Sequence, residues 1–399
     1  MKTIGDSLPR RFKAKASGAI TAGKPLIVEA DGDVAQVVQT SVSQGVGSAV
    51  VFTSSQATFL ANSATFDSNS NKIVFTYSDY GNSGYGTAVV GTASGTSISF
   101  GTPVVFESAN TGGDLAATFD TTNNKVLIAY KDGGNSSYGT AIVGTVSGDS
   151  ISFGSAAVFE SATTLSPACA FDSNAGRALI AYRDNGNSDQ GTAIVATISG
   201  TSVSFGSAAV FETGKTQYCR ATFDSTNNKV VIAFMDDANA DRGKAVVATI
   251  SSTSVSFGTV ATFETTAITE NLAITFDSNA GKVVIAYEYG STSNCIVGTV
   301  SSTDITFGSP AVFNSNESRE LSCTFDSGAN KVVVVYRDEG NSSYGTAVPM
   351  TVSGTSISKG TATVFESDTV QMMSATFDSN SNVVPIMFYD QGNSNYGTG

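Results

Sequence analysis

Histidine and tryptophan are absent from this 399-residue chain, and cysteine occurs only four times. Without histidine there is no imidazole acid–base catalysis, no histidine-based zinc site and no Ser-His-Asp triad. Without tryptophan, any carbohydrate-binding face has to be made from tyrosine, phenylalanine and polar groups. No CxxC pair, Walker loop or dinucleotide fingerprint is present, so no cofactor is expected. No apolar run reaches 18 residues, so no membrane-inserting helix is expected. The opening MKTIGDSLPRRFKAKAS has no apolar h-region, and no secretory signal peptide is expected. Basic residues are the scarcer sign, with 21 Lys and Arg against 34 Asp and Glu, a formal net charge of -13. Residues 1–33 hold six basic and four acidic side chains, so the negative balance lies wholly in the rest. Such a surface is a poor partner for nucleic acid or an anionic membrane.

What the chain has is a repeat. A T-F-D or A-F-D phrase places phenylalanines at 66, 119, 171, 223, 276, 325 and 377, at intervals of 53, 52, 52, 53, 49 and 52 residues. A fixed period of this size means stacked or radially arranged supersecondary units. We name each unit after its phenylalanine. In the Phe119 unit the pattern predicts four strands: a (117–120), b (125–132), c (139–146) and d (150–159). Val, Ile, Phe, Tyr and Thr dominate these runs, and Asn, Asp, Gly and Ser separate them at hairpin length. Sustained helical periodicity is missing. Four antiparallel strands per unit predict an all-β propeller blade.

Unit counting predicts seven blades, with residues 1–33 as an N-terminal arm and residues 34–399 as the propeller. The Phe377 unit stops soon after its strand b, at Gly399. Val46–Ser54 (VGSAVVFTS) matches the strand-d text Phe153–Ser161, and Val34–Thr40 is apolar and suitably placed for a strand c. The expectation is closure by two N-terminal strands, c and d, on two C-terminal strands, a and b, with Val37 in the same sheet as Ile386. Cys169, Cys219 and Cys323 fall two or four residues before a repeat phenylalanine and, with Cys295 in a strand c, are expected as small buried core residues.

Most carboxylates belong to the repeat. One set follows the phenylalanine (Asp67, Asp120, Asp172, Asp224, Asp277, Asp326, Asp378) and is expected to bond turn amides. A second ends strand b (Asp79, Asp132, Asp184, Asp236, Asp338, Asp390), with Glu288 in the Phe276 unit. It leads mostly into Gly-Asn-Ser loops, where a hydrogen-bonded turn is favoured over calcium because a true calcium loop is denser in acids. No metal site is expected. A third set ends strand d (Glu107, Glu160, Glu212, Glu264, Glu366), and equivalent members on different blades stand too far apart to act as a glycosidase pair.

Recognition is sought where the repeats differ. The b–c loops are nearly constant, whereas the segments from d to the next a vary in every unit. Both emerge on one face of a propeller, a constant frame carrying one variable element per blade. The candidate binding residues in these d–a loops are Asp114, Tyr218, Arg220, Glu270, Arg319, Glu320 and Met372. No catalytic residue is assigned.

Outside the repeat, Arg10, Arg11, Lys13 and Lys15 make a basic arm, followed by SGAITAGKPLIVEADGDV. This second phrase resembles the N-terminal segments of bacteriophage tail-fibre and other virion appendage proteins. The Gly/Ser/Thr/Asn-rich repeat is likewise similar to propeller-like repeats of phage structural proteins. The resemblance implies a non-enzymatic virion structural protein, assembled in the host cytoplasm. Its arm would join other virion proteins and its face would meet a host-surface glycan or protein, with homo-oligomerisation compatible. The alternative is a secreted or cell-surface lectin-like binding module. A propeller polysaccharide lyase or hydrolase is the third reading.

Overall fold

The computed structural model describes residues 16, 26–28, 34–36, 45–54 and 62–399. Two compact units are present, Met1–Gly45 and Val46–Gly399. The first contains an antiparallel pairing of Leu26–Val28 with Val34–Gln36, in which Leu26 faces Gln36 and Val28 faces Val34.

The second is built from repeated antiparallel sheets. Among its described residues there is no α-helix, only single 3-10 turns such as Asn185–Asn187. In the Phe119 unit strand a is Leu115–Asp120, b is Lys125–Asp132 and c is Tyr138–Ser147. Strand b pairs with a on one side (Val126 with Phe119) and with c on the other (Ile128 with Ile142). Both its edges are thus paired, and the sheets of the preceding and following units cover its two faces, so it reads as an unbroken apolar run with Val126–Tyr130 fully buried.

Strand d departs from the single run expected over 150–159. Ser150–Phe153 pairs with the far end of c, and a second piece beginning at Ala157 pairs with its near end. The break falls at Gly154, whose α-carbon is pressed against the backbone carbonyl of Thr201 in the next unit and leaves no room for a side chain. The same close approach recurs at Gly101, Gly206, Gly258 and Gly308.

Consecutive sheets are joined by one repeated aromatic contact. The phenylalanine of strand d lies against the aromatic residue of strand b in the next unit. Phe106 meets Tyr130 at 5.2 Å between ring centroids, Phe159 meets Tyr182 at 5.2 Å, and Phe211 meets Phe234 at 5.2 Å. Phe263–Tyr287, Phe313–Tyr336 and Phe365–Phe388 continue the series at 5.1, 5.3 and 5.5 Å. Such tilted and edge-on pairs each add about 0.5–1.5 kcal/mol to the burial of the rings. The ring also lies over the start of its own strand c, where most units carry a glycine, as in Tyr138-Gly139-Thr140. A Cβ at Gly86, Gly139, Gly191, Gly243 or Gly345 would strike the d-strand ring.

The two ends of this unit meet through the same contact. Phe52 lies 5.4 Å from Tyr77 and packs in one cluster with Ile73, Phe75, Met387 and Tyr389. Val51–Thr53 pairs with Tyr396–Thr398, which pairs in turn with Ile386–Asp390. The amide of Ala64 donates to Ser374 Oγ at 2.9 Å, and Ser381 Oγ donates to the carbonyl of Ala93 at 3.0 Å.

This corrects the expected closure. Residues 34–36 pair with 26–28. Strand c of the Phe377 unit is Tyr396–Thr398, so the C-terminus supplies a, b and c and the N-terminal side supplies d alone. The reason is local: Tyr396-Gly397-Thr398 carries the strand-c opening, and Gly397 makes room for Phe52. Val37 lies outside the described residues.

Two consequences are testable by urea denaturation of purified protein. Deleting residues 1–44 should leave unfolding of the repeat unchanged within about 0.5 kcal/mol, because the compact unit begins beyond them. Phe52→Ala should cost about 3–5 kcal/mol, as for any buried phenylalanine.

Candidate functional site

The segments expected as d–a loops are mostly not loops. Ala157–Asp172, Ala209–Asp224 and Ala261–Asp277 each run unbroken from d of one unit into a of the next. Their backbones stay hydrogen-bonded because they leave their own strand c only as they reach strand b of the following unit. Thr163 faces Tyr138 of strand c, and Thr164 already faces Asp184 of the next strand b. A break in strand occurs between Asn110 and Leu115 and between Asn314 and Ser318.

Variability is expressed instead as a bulge at the top of strand a. The a–b register slips between Leu165 and Ala168, Gln217 and Arg220, Arg319 and Ser322, and Gln371 and Ser374. The residue at the slip is left-handed, with φ of 48° at Ser166, 52° at Tyr218, 58° at Glu320 and 51° at Met372. For a non-glycine residue that conformation costs about 1–2 kcal/mol. A bulge of this kind re-aims a side chain out of the alternation of its strand.

Several candidate residues come together across adjacent units. Tyr218 donates its hydroxyl to Glu270 Oε2 at 3.3 Å, and Glu270 is exposed. Its neighbour Asn271 accepts the amide of Glu320 through Oδ1 at 2.6 Å. Glu320 Oε1 accepts from Arg337 at 2.9 Å. One linked rim thus spans the Phe223, Phe276 and Phe325 units. Arg319 is exposed and bonds Glu317 at 2.6 Å. Asp114 stands apart, accepting from Lys131 Nζ at 2.6 Å and from the amide of Ser166 at 2.8 Å. Met372 packs against the Phe52 cluster, and Arg220 bonds the carbonyl of Cys219 at 2.9 Å. Arg10, Arg11, Lys13 and Lys15 lie outside the described residues.

The repeated aspartates act as turn acceptors. Asp120 Oδ1 receives the amides of Thr122 and Asn123 at 2.8 and 2.9 Å, and Asp172 and Asp224 do the same in their units. At the end of strand b, Asp132 receives Gly134 N at 2.9 Å and Asp184 receives Asn187 N at 3.2 Å. Among the described residues, no group of three or more metal-ligating side chains is present. Of the cysteines, all free, Cys219 and Cys295 are buried; Cys169 and Cys323 are only partly so, against expectation. Cys169 borders the cavity between the a strands, and burial pushes its thiol up to about 12.

A second arrangement escaped the sequence. The glutamate ending strand d meets the aspartate ending strand b of the next unit. Comparing like with like around the repeat hid this unlike pair. Tyr130 donates to Glu107 at 3.1 Å, Tyr182 to Glu160 at 3.1 Å and Tyr287 to Glu264 at 3.2 Å. Burial, then the charges of Asp132, Asp184 and Asp390, raises the carboxyls of Glu107, Glu160 and Glu366. In the Phe223 unit Lys244 bridges Glu212 at 3.2 Å and Asp236 at 2.5 Å. At the end of strand d in the Phe276 unit, Asn314 replaces the glutamate and donates to Asp338 of the Phe325 unit at 3.0 Å. The signal available in the sequence was the pair of exceptions, a lysine and an asparagine placed to relieve the repulsion.

No protein-family model matches the chain, and no curated protein matches it. Solved structures do. The chain is similar to one in a mitotic checkpoint complex at 8% identity and a TM-score of 0.55, covering 91% of this chain and 97% of that one. It is similar to an arginine-to-alanine mutant of AofleA from Arthrobotrys oligospora at 10% identity and a TM-score of 0.50, over 82% and 94% of the two chains. It is also similar to a leech intramolecular trans-sialidase complexed with 2,7-anhydro-Neu5Ac, at 7% identity and a TM-score of 0.50, over 89% and 69%. At these identities the likeness is one of fold, a β-propeller-like repeat.

The rim carries a pH prediction. Burial raises Glu320 to about 7 despite Arg337. A carboxyl raised on folding binds its proton more tightly in the folded state. Its contribution is therefore full below the unfolded value and is lost as pH rises through the folded one. Thermal stability should fall between about pH 5 and 8, and Glu320→Gln should reduce that fall by about 2–4 °C. A scan of melting temperature against pH for the two proteins checks it.

Proposed function

We propose that the protein is a non-enzymatic, lectin-like binding module on a closed seven-bladed β-propeller. The ring is supported by the packing clusters. One lies between each consecutive pair of units, and one joins Phe52, Met387 and Tyr389 to Ile73 and Tyr77. It is supported too by the cavity of about 540 Å³ on which strand a of every unit converges, from Thr65 to Thr376.

The observation that carries the binding reading is the Tyr218–Glu270 pair on the rim. A half-buried tyrosine offers an apolar ring face to the C–H side of a sugar, and an adjacent carboxylate accepts from sugar hydroxyls. The fold does not choose between functions, since the similar structures include both a trans-sialidase and a mitotic checkpoint complex. The chemistry of the pair favours binding over turnover. Burial and the Glu270 charge raise the Tyr218 hydroxyl, so it stays protonated at neutral pH, whereas a nucleophile needs the opposite shift.

A neutral-glycan array and titration calorimetry test this. A glycan should bind, and Tyr218→Ala and Glu270→Gln should each weaken it about tenfold or more, matching the loss of one well-placed contact, in proteins that remain folded by circular dichroism. If no glycan binds, or if Tyr218→Ala binds as well as the parent, the reading fails. Turnover of the bound sugar would replace it with an enzyme.

A second reading, attachment to a virion, is favoured by the separate Met1–Gly45 unit, whose paired strands overlap the tail-fibre-like phrase. It assigns that unit the anchoring role and leaves the propeller outward. Immunogold labelling of phage particles distinguishes this reading from a secreted or cell-surface module.

A further inference from the structure

Where strand d of one unit ends against strand b of the next, two carboxylates meet. The pairs are Glu107 with Asp132, Glu160 with Asp184, Glu212 with Asp236 and Glu366 with Asp390. Among the described residues, only the third pair is bridged by a lysine or arginine. Lys244 Nζ lies 3.2 Å from Glu212 and 2.5 Å from Asp236.

Lys244 shows where a cation fits in this seam. It faces Phe234 in the b–c register, so its side chain leaves the sheet on the face that carries Phe234 and, two residues on, Asp236. The same position in the preceding unit is Thr192, which faces Tyr182. Tyr182, Asp184 and Thr192 therefore share one face. That face is turned to Glu160, whose Oε2 accepts the hydroxyl of Tyr182 across the seam at 3.1 Å. Thr140 and Thr398 take the place of Lys244 in the Phe119 and Phe377 units.

A threonine cannot supply the charge that Lys244 brings. The Tyr182 hydroxyl replaces only the bond from Lys244 to the glutamate, because Phe234 has no hydroxyl to make it. Two negative charges still face each other between Glu160 and Asp184. Thr192 is an independent sign of a missing partner. It is 2% exposed, and its Oγ1 has no hydrogen-bond partner. The hydroxyls of Thr140 and Thr398 each reach a carbonyl of their own strand, at 3.5 and 3.3 Å. A buried hydroxyl left unpartnered is costly.

Every polar group on this face is an oxygen: two carboxylates, a phenol and an alcohol. That is the donor set of a hard cation, and two carboxylates balance a double positive charge. Magnesium demands a near-ideal octahedron. Calcium accepts an irregular set and completes its shell with carbonyls and water, which the partly exposed Glu160 admits.

We propose that the seam between Glu160 and Asp184 is a calcium site, and that Lys244 is the covalent substitute for the ion one unit further on. The ion ties strand d of the Phe119 unit to strand b of the Phe171 unit, as Lys244 ties the next two. Glu107–Asp132 and Glu366–Asp390 offer the same two carboxylates without the unpartnered hydroxyl. The site does not rest on the Tyr218–Glu270 pair. Its failure would leave glycan binding at the rim untouched.

The test is calorimetric titration of the EGTA-stripped full chain with calcium chloride, with thermal unfolding alongside. Calcium should bind, and should raise the melting temperature saturably by about 2–4 °C beyond sodium or magnesium chloride at matched ionic strength. Asp184→Asn should remove one equivalent of bound calcium. Thr192→Lys, which copies the Phe223 arrangement, should remove the same equivalent and raise the melting temperature in EGTA. Asp149→Asn, at an exposed carboxylate paired with Lys72, should keep it. If neither seam variant folds, crystals of the parent soaked in terbium chloride give the answer: an anomalous peak between Glu160 and Asp184 supports the site. No calcium binding, an equal shift from sodium or magnesium, full stoichiometry in folded Asp184→Asn or Thr192→Lys, or no peak at the seam would each overturn it.

Discussion

Everything in this fold depends on the contact between the strand-d phenylalanine of one unit and the strand-b aromatic of the next. Phe159 on Tyr182 is typical, at 5.2 Å. The ring sets the spacing of neighbouring sheets and favours a small residue beneath it in strand c, glycine in all units but the Phe276 one, which has Ser293. It also places the following glutamate beside the next unit's tyrosine hydroxyl and aspartate. A four-stranded sheet of this size cannot bury both faces alone. Each is completed by its neighbours, so stability accumulates around the series rather than residing in one blade. Phe52, near the start of the Val46–Gly399 unit, makes the same contact with Tyr77 and lies over Gly397 near its end.

The same contact divides constant from variable chemistry. The Asp-capped turns and the loops after strand b are held by backbone amides bonded to their aspartates and have little freedom to change. In four units a bulge on strand a lifts one residue out of the alternation of the strand, and it is serine, tyrosine, glutamate or methionine from unit to unit. The cost is a left-handed backbone at residues that disfavour it. Strain of this kind, repeated at equivalent positions and filled with different side chains, is what a recognition rim requires.

The period, the four strands and the buried strand b were legible in the sequence because they follow from local pattern: T-F-D, an apolar run such as KVLIAYKD, and turn residues between. The role of Asp120 and its equivalents was legible for the same reason. The pairing of the two ends was legible only in part. Val46–Ser54 matched strand d because Phe52 sits in the same text as Phe159, but Tyr396-Gly397-Thr398 is too short for an apolar pattern. Its identity rests on the glycine under Phe52, a contact between residues more than 300 positions apart. The d–a segments looked like loops because their side chains vary, and side-chain variation says nothing about a backbone paired on both edges. Glu107 with Asp132, and Thr192 in the place that Lys244 takes one unit on, become visible only when adjacent units are set side by side.

Closure is decided most directly at the junction itself. Val50 N donates to Gly399 O at 2.8 Å, and Gly399 N donates back to Val50 O at 3.0 Å. Native-state hydrogen exchange of the full chain reads these two amides against Ile128, buried in a central strand. If the two chain segments complete one blade, Val50 and Gly399 should exchange only with global unfolding, at the free energy that protects Ile128. Exchange of either amide at the rate of a frayed terminus, while Ile128 stays protected, would contradict the closed ring.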